Sequence, residues 1–197
     1  MPRSHAYSLP NILTYGRIAA VPMVVVCFFG EGKFSGSDAA RWTAVILFVL
    51  ASITDFLDGY LARAWDQQSS IGRMLDPIAD KLLVAACLLL LAADGTIAGW
   101  SLWAAIVILC REILVSGLRE YLAELKVSVP VTRLAKWKTT VQLVAIGFLL
   151  AGPAGERYLP GTTLIGLTLL WSAALVTLYT GYDYFRAGIG HLFEDES

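Results

Sequence analysis

Charge is what this sequence has least of. Asp, Glu, Lys and Arg make up 16% of its 197 residues, against about 25% in ordinary soluble domains. With 57% hydrophobic residues, that shortage excludes a typical water-soluble globule and points to a polytopic membrane protein. The net charge of −1 provides no footprint for a nucleic-acid partner. Cysteine is also sparse. Cys27, Cys87 and Cys110 all sit in apolar runs without C-x-x-C spacing, which excludes a disulfide framework or zinc site and leaves small core hydrophobes. No internal repeat or low-complexity tract is visible. A cleaved leader is not expected, because the first apolar segment lacks a cleavage site and is followed by further spans.

What remains is long apolar runs with polar punctuation. The fold class read from them is all-α, with six transmembrane helices in one domain over residues 1–197. A short interfacial segment at 4–10 precedes a first span at about 11–29, which contains Arg17 and Pro22. A Gly-rich loop follows, then a helix over 38–64 that is apolar at 44–53. After a polar linker at 65–71, a third helix starts near 72 and ends at the turn signal Asp94-Gly95. The fourth spans about 97–125, the fifth 133–151, closed by Gly152-Pro153-Ala154-Gly155, and the sixth 162–185.

Six spans place both termini on one side, and the basic residues say which. Arg3, Arg17, Arg63, Arg73, Lys81, Arg111, Arg119, Lys126, Arg133, Lys136, Lys138 and Arg186 fall on the side of the termini, against Lys33, Arg41 and Arg157 opposite. The positive-inside rule makes the terminal side cytoplasmic. The expected location is the cell (inner) membrane, multi-pass.

Four carboxylates interrupt the apolar pattern on that side. Asp55 and Asp58 are three residues apart, and Asp76 and Asp80 are four apart, so each pair can share a helix face. Ionisable residues in apolar segments are functional candidates. Close carboxylates repel in a low-dielectric site unless a cation compensates them, and oxygen donors suit Mg²⁺ or Mn²⁺. Such a metal can hold a pyrophosphate during transfer. Gly59 and Gly72 permit close backbone approach, Arg63 can grip a phosphate, and Ser69 offers a hydroxyl. A second cluster lies downstream. Arg111 and Arg119 are eight residues apart, roughly 80° around a helix, and Lys136 and Lys138 open the next helix. Four cations suit an anionic ligand, with a phosphate ester the natural choice. They can also serve as ordinary interfacial residues, with Glu112 pairing a neighbouring cation.

The acidic spacing is D-x2-D-G-x2-A-R-x8-G-x3-D-x3-D, met by Asp55, Asp58, Gly59, Ala62, Arg63, Gly72, Asp76 and Asp80. It resembles the signature of the CDP-alcohol phosphotransferases. The resemblance implies six transmembrane helices, a homodimer, and a cytoplasmic active site dependent on Mg²⁺ or Mn²⁺. It implies that Asp55, Asp58 and Asp76 bind the metal, joined by Asp80, and that Asp80 is the general base. Asp55, Asp58, Gly59, Ala62, Arg63, Ser69 and Gly72 would hold the CDP-lipid. The stretches P-N-I-L-T-Y-G-R, R-E-I-L-V-S-G-L-R-E, K-W-K-T-T-V-Q and G-Y-D-Y-F look like those of the bacterial phosphatidylglycerophosphate-forming branch. That branch implies CDP-diacylglycerol as donor and sn-glycerol 3-phosphate as acceptor. The acceptor would lie on Arg111, Arg119, Lys136 and Lys138, with Asn11, Thr14, Arg17 and Glu112 near the site. Asp183 is assigned neither a structural nor a site role. Two alternatives stay open: a sibling transferase (phosphatidylinositol-phosphate synthase or cardiolipin synthase), and a cation transporter. A transporter is expected to show inverted repeats and broken helices in both halves, and the sequence has neither.

Overall fold

A computed structural model of the chain describes residues 9–28, 37–64, 70–124 and 133–194, with side chains except at 9–11, 55–64, 70–73, 76, 124, 133–136 and 187–194. These residues form six α-helices: α1 (Leu9–Phe28), α2 (Asp38–Ala64), α3 (Ser70–Ala93), α4 (Ser101–Glu124), α5 (Arg133–Glu156) and α6 (Thr162–Glu194). No strand occurs among them. The expected bounds of α2 hold. α4 starts at Ser101 and not near 97, because Gly95 and Gly99 take φ of 80° and 56° and the chain turns before it winds. α6 runs past the expected end near 185, to Glu194. Of the expected interfacial segment at 4–10, residues up to 8 lie outside the described ones. Leu9 and Pro10 open α1, where proline's missing N–H costs nothing.

The helices pack as a ring. α1 lies against α2 and α3, α2 against α5, α5 against α6, and α6 against α4. α3 closes the ring on α4 and α5. The middle of α3 is well enclosed: from Ala79 to Leu91 only Leu82 and Leu89 are exposed. The core is aliphatic, with Leu83, Cys87 and Leu91 of α3 packed among Ile108, Ile146, Leu149 and Leu170.

The outer surface is apolar as well. Val26, Leu89, Ile113, Leu164 and Leu175 are each more than 60% exposed, and an apolar exterior of this breadth marks contact with something other than water. α4 over Ser101–Ala123 and α6 over Thr162–Arg186 are long and apolar enough to cross a membrane, and α1 carries a shorter apolar stretch, Ile12–Phe28.

One end of the bundle is tied by a buried cation. Arg41, near the start of α2, forms an ion pair with Asp94 of the α3–α4 turn, and both side chains are under 5% exposed. Arg41 also donates to the Leu150 carbonyl at 3.3 Å and stands over the Phe28 ring at 5.3 Å. Asp94 accepts from the Thr96 amide at 2.9 Å, which shapes the turn. α5 kinks here: Gly152 has φ 42°, ψ −126°, and a Cβ on it would fall 2.8 Å from the guanidinium of Arg41. Glycine is therefore required twice, by its dihedrals and by the close approach of Arg41. Beyond the kink, Glu156 accepts from the amides of Thr163 at 2.9 Å and Gly161 at 2.6 Å. The acid caps the entry to α6.

Candidate active site

The acidic signature divides between two helices. Asp55, Asp58, Gly59, Ala62 and Arg63 occupy the last turns of α2, and Gly72, Asp76 and Asp80 the first half of α3. Ser69 lies outside the described residues, as do the side chains of every signature position except Asp80. Among the described residues no three His, Cys, Asp or Glu side chains gather as a metal-binding group.

Asp80 shows where the signature leads. It lines a cavity of about 270 Å³ between α3, α4 and α5, together with Lys81, Glu112, Thr139 and Gln142. Glu112, on α4, is the hub of the basic cluster. Its Oε1 accepts from the ammonium of Lys138 on α5 and, at 3.4 Å, from the guanidinium of Arg111. Lys138 is 4% exposed, a depth at which an ammonium requires a counter-charge. The Asp80 carboxylate also acts electrostatically on Lys138. The structure thus brings Asp80, Arg111, Glu112 and Lys138 to one place, although they come from three helices.

The two arginines of α4 rest on α6. Arg111 donates to Thr180 Oγ1 at 3.2 Å. Its stem crosses Gly181, where a Cβ would lie 3.0 Å from Arg111 Cγ. Arg119 stands over the Tyr184 ring at 5.7 Å, within cation–π range. The stretch Gly181-Tyr182-Asp183-Tyr184 is therefore a platform for guanidinium groups, while Asp183 itself is exposed. Arg119 is not joined to the Glu112 hub. The Lys136 side chain lies outside the described ones, as does that of Asn11. Thr14 and Arg17 are buried on α1, each about 1% exposed.

Three polar residues of the cavity had not been singled out from the sequence. Lys81 donates its ammonium to Ser116 of α4. Thr139 and Gln142 follow Lys138 into an apolar helix, and Gln142 is 3% exposed. Their signal was present in the sequence, since Lys138 and Gln142 are four residues apart and share a helix face. An apolar groove of about 560 Å³ runs between α2 and α5, with Phe48, Ser52, Ile53, Val144 and Phe148 among its walls. On α2 it reaches to Ile53, two residues before Asp55.

Residues 7–179 match the family model for CDP-alcohol phosphatidyltransferase, and the chain belongs to that family. Within it, several similar relatives carry one name. The CDP-diacylglycerol--glycerol-3-phosphate 3-phosphatidyltransferase of Rickettsia bellii is 47% identical, covering 91% of this chain and 94% of its own. Proteins of the same name from Cereibacter sphaeroides (39% identical, 96% of this chain and 99% of its own) and Haemophilus influenzae (34%, 96% and 97%) are also similar. These likenesses favour neither a sibling acceptor nor a transporter.

Proposed function

We propose that this protein transfers the phosphatidyl group of CDP-diacylglycerol to sn-glycerol 3-phosphate, giving phosphatidylglycerophosphate and CMP. The observation that carries this reading is that Asp80, the last acid of the signature, lines one cavity with Glu112, which holds Lys138 and Arg111, cations suited to a phosphorylated acceptor. The name borne by the relatives agrees with it. The apolar groove between α2 and α5 suits a lipid donor.

The acceptor phosphate sits on Lys138 and Arg111. Glu112 engages them through one oxygen, and an ammonium and a guanidinium have donors to spare. Arg119 and Lys136 supply further positive charge. Gly59, Ala62, Arg63, Ser69 and Gly72 hold the CDP moiety. Asp80 takes the proton of the acceptor hydroxyl. The oxygen attacks the lipid-bearing phosphorus, a new P–O bond forms, and the P–O bond to the cytidylyl phosphate breaks. CMP leaves with the electron pair. Positioning is the main contribution asked of the protein, as in phosphoryl transfer generally.

The donor set fits a hard cation, since Asp55, Asp58, Asp76 and Asp80 offer only carboxylate oxygens. These four would hold Mg²⁺ or Mn²⁺, which when bound offsets the charge of the pyrophosphate and of the leaving phosphate.

The same reading takes residues 1–197 as one domain with six spans, both termini and the site cytoplasmic, working as a homodimer in the cell membrane. The apolar exterior supports the spans. The excess of Lys and Arg on the side of the termini supports the orientation.

The test uses purified protein with CDP-diacylglycerol, Mg²⁺ or Mn²⁺, and a panel of acceptors. Turnover is expected with glycerol 3-phosphate. Use of inositol phosphate, phosphatidylglycerol or serine in its place would refute the acceptor assignment. Chelation is expected to stop CMP release and added Mg²⁺ or Mn²⁺ to restore it; release that persists in chelator would remove the metal from the reading.

A further inference from the structure

One buried polar atom of the cavity stands without a partner and without a part in the proposed chemistry. Gln142 is 3% exposed, and its Oε1 is buried with no hydrogen-bond partner among the described residues. The neighbouring polar groups are engaged. Lys81 is bonded to Ser116, Glu112 to Lys138 and Arg111, and Thr139 has an interaction of its own. An unanswered carbonyl oxygen at this depth is unfavourable, and a ligand with a donor would remove the penalty.

We propose that Gln142 reads the secondary hydroxyl of the acceptor, selecting a three-carbon phosphate that carries a free hydroxyl beside the reacting one. This inference rests on the acceptor reading above. A carbonyl oxygen repels a phosphate oxygen and welcomes a hydroxyl. A hydroxyl can also answer the amide nitrogen, since it both donates and accepts. Lys138 and Gln142 lie four residues apart on α5, about 6 Å along the helix axis. Phosphate on Lys138 therefore leaves the carbinol end of a short ligand level with Gln142, and Asp80 lines the facing wall on α3. Gln142 is also the last polar side chain before the apolar run from Leu143 to Ala151, so it forms the floor of the site.

The experiment compares kcat/KM for glycerol 3-phosphate and for 3-hydroxypropyl phosphate, which lacks the secondary hydroxyl. The wild-type enzyme is expected to prefer glycerol 3-phosphate by about 10- to 100-fold, the effect of leaving one buried polar group unanswered. Gln142→Met, of similar volume, is expected to collapse that preference. If Gln142→Met does not purify as folded protein, Gln142→Asn, which withdraws the amide by one methylene, is expected to lower the preference. Equal use of both acceptors by the wild type, or a preference that survives the substitution, overturns the inference. No turnover of either acceptor by the wild type would instead sink the acceptor reading itself.

Discussion

At the residue scale, the site turns on Glu112. One carboxylate compensates two cations at different depths, Lys138 at 4% and Arg111 at 14% exposure. Glu112→Ala removes that compensation while leaving Lys138 buried. We expect it to lower stability by about 2 kcal/mol, measured as a fall in the thermal midpoint of detergent-solubilised protein. An added phosphate ester is expected to recover more of the midpoint in the variant than in the wild type, because the anion takes the vacated place. A variant as stable as the wild type would mean that the pairs contribute nothing. The aspartates were legible in the sequence because their spacing is itself the signal. Glu112 was legible only as a neighbour, since its choice of Lys138 depends on how α4 meets α5. Gln142 escaped for the same reason: its helix face could be counted, but the acid across the cavity could not.

At the element scale, the sequence located the breaks better than the ends. The Gly152-Pro153 break in α5 was readable from composition, yet its reason was not. Arg41, 111 residues earlier, needs the space a Cβ would fill. Gly152→Ala should therefore cost about 2 kcal/mol or more, from a positive φ and a clash together. An unchanged unfolding midpoint would show that the Arg41 cluster shifts without penalty. The far end of α6 was misjudged because Asp183 and Arg186 mark the end of the span, while the helix continues through Gly188 and Gly190 to Glu194. The cap at its start gives a pH dependence. The Thr163 amide, and then that of Gly161, hold the Glu156 carboxyl below its usual value. A carboxyl held low stabilises the fold above the glutamate range, and the stability is lost as pH falls through its folded value. Glu156→Gln should be less stable than the wild type at neutral pH, with the gap closing on acidification below about pH 4. A gap that stays constant with pH would remove the charge of Glu156 from the account.

At the scale of the whole molecule, the ring of helices separates two polar ends. One is closed by Arg41, Asp94 and Glu156. The other gathers Asp80, the Glu112 hub, the end of α2 and the start of α3, where the proposed chemistry needs access to both the bilayer and water. Composition already implied a membrane protein, because so little charge cannot cover a water-facing surface of this size. The ring order was not readable, since α1 and α3, or α4 and α6, become neighbours through packing and not through adjacency in the chain. The central claim is that Asp80 activates an acceptor in the cavity beside the cationic hub. It is tested most directly by CMP release from CDP-diacylglycerol, with and without glycerol 3-phosphate, in wild type and Asp80→Asn. The account predicts release that requires the acceptor, is abolished by Asp80→Asn, and leaves CDP-lipid binding largely intact. Release at the wild-type rate by Asp80→Asn, or release independent of the acceptor, would contradict it.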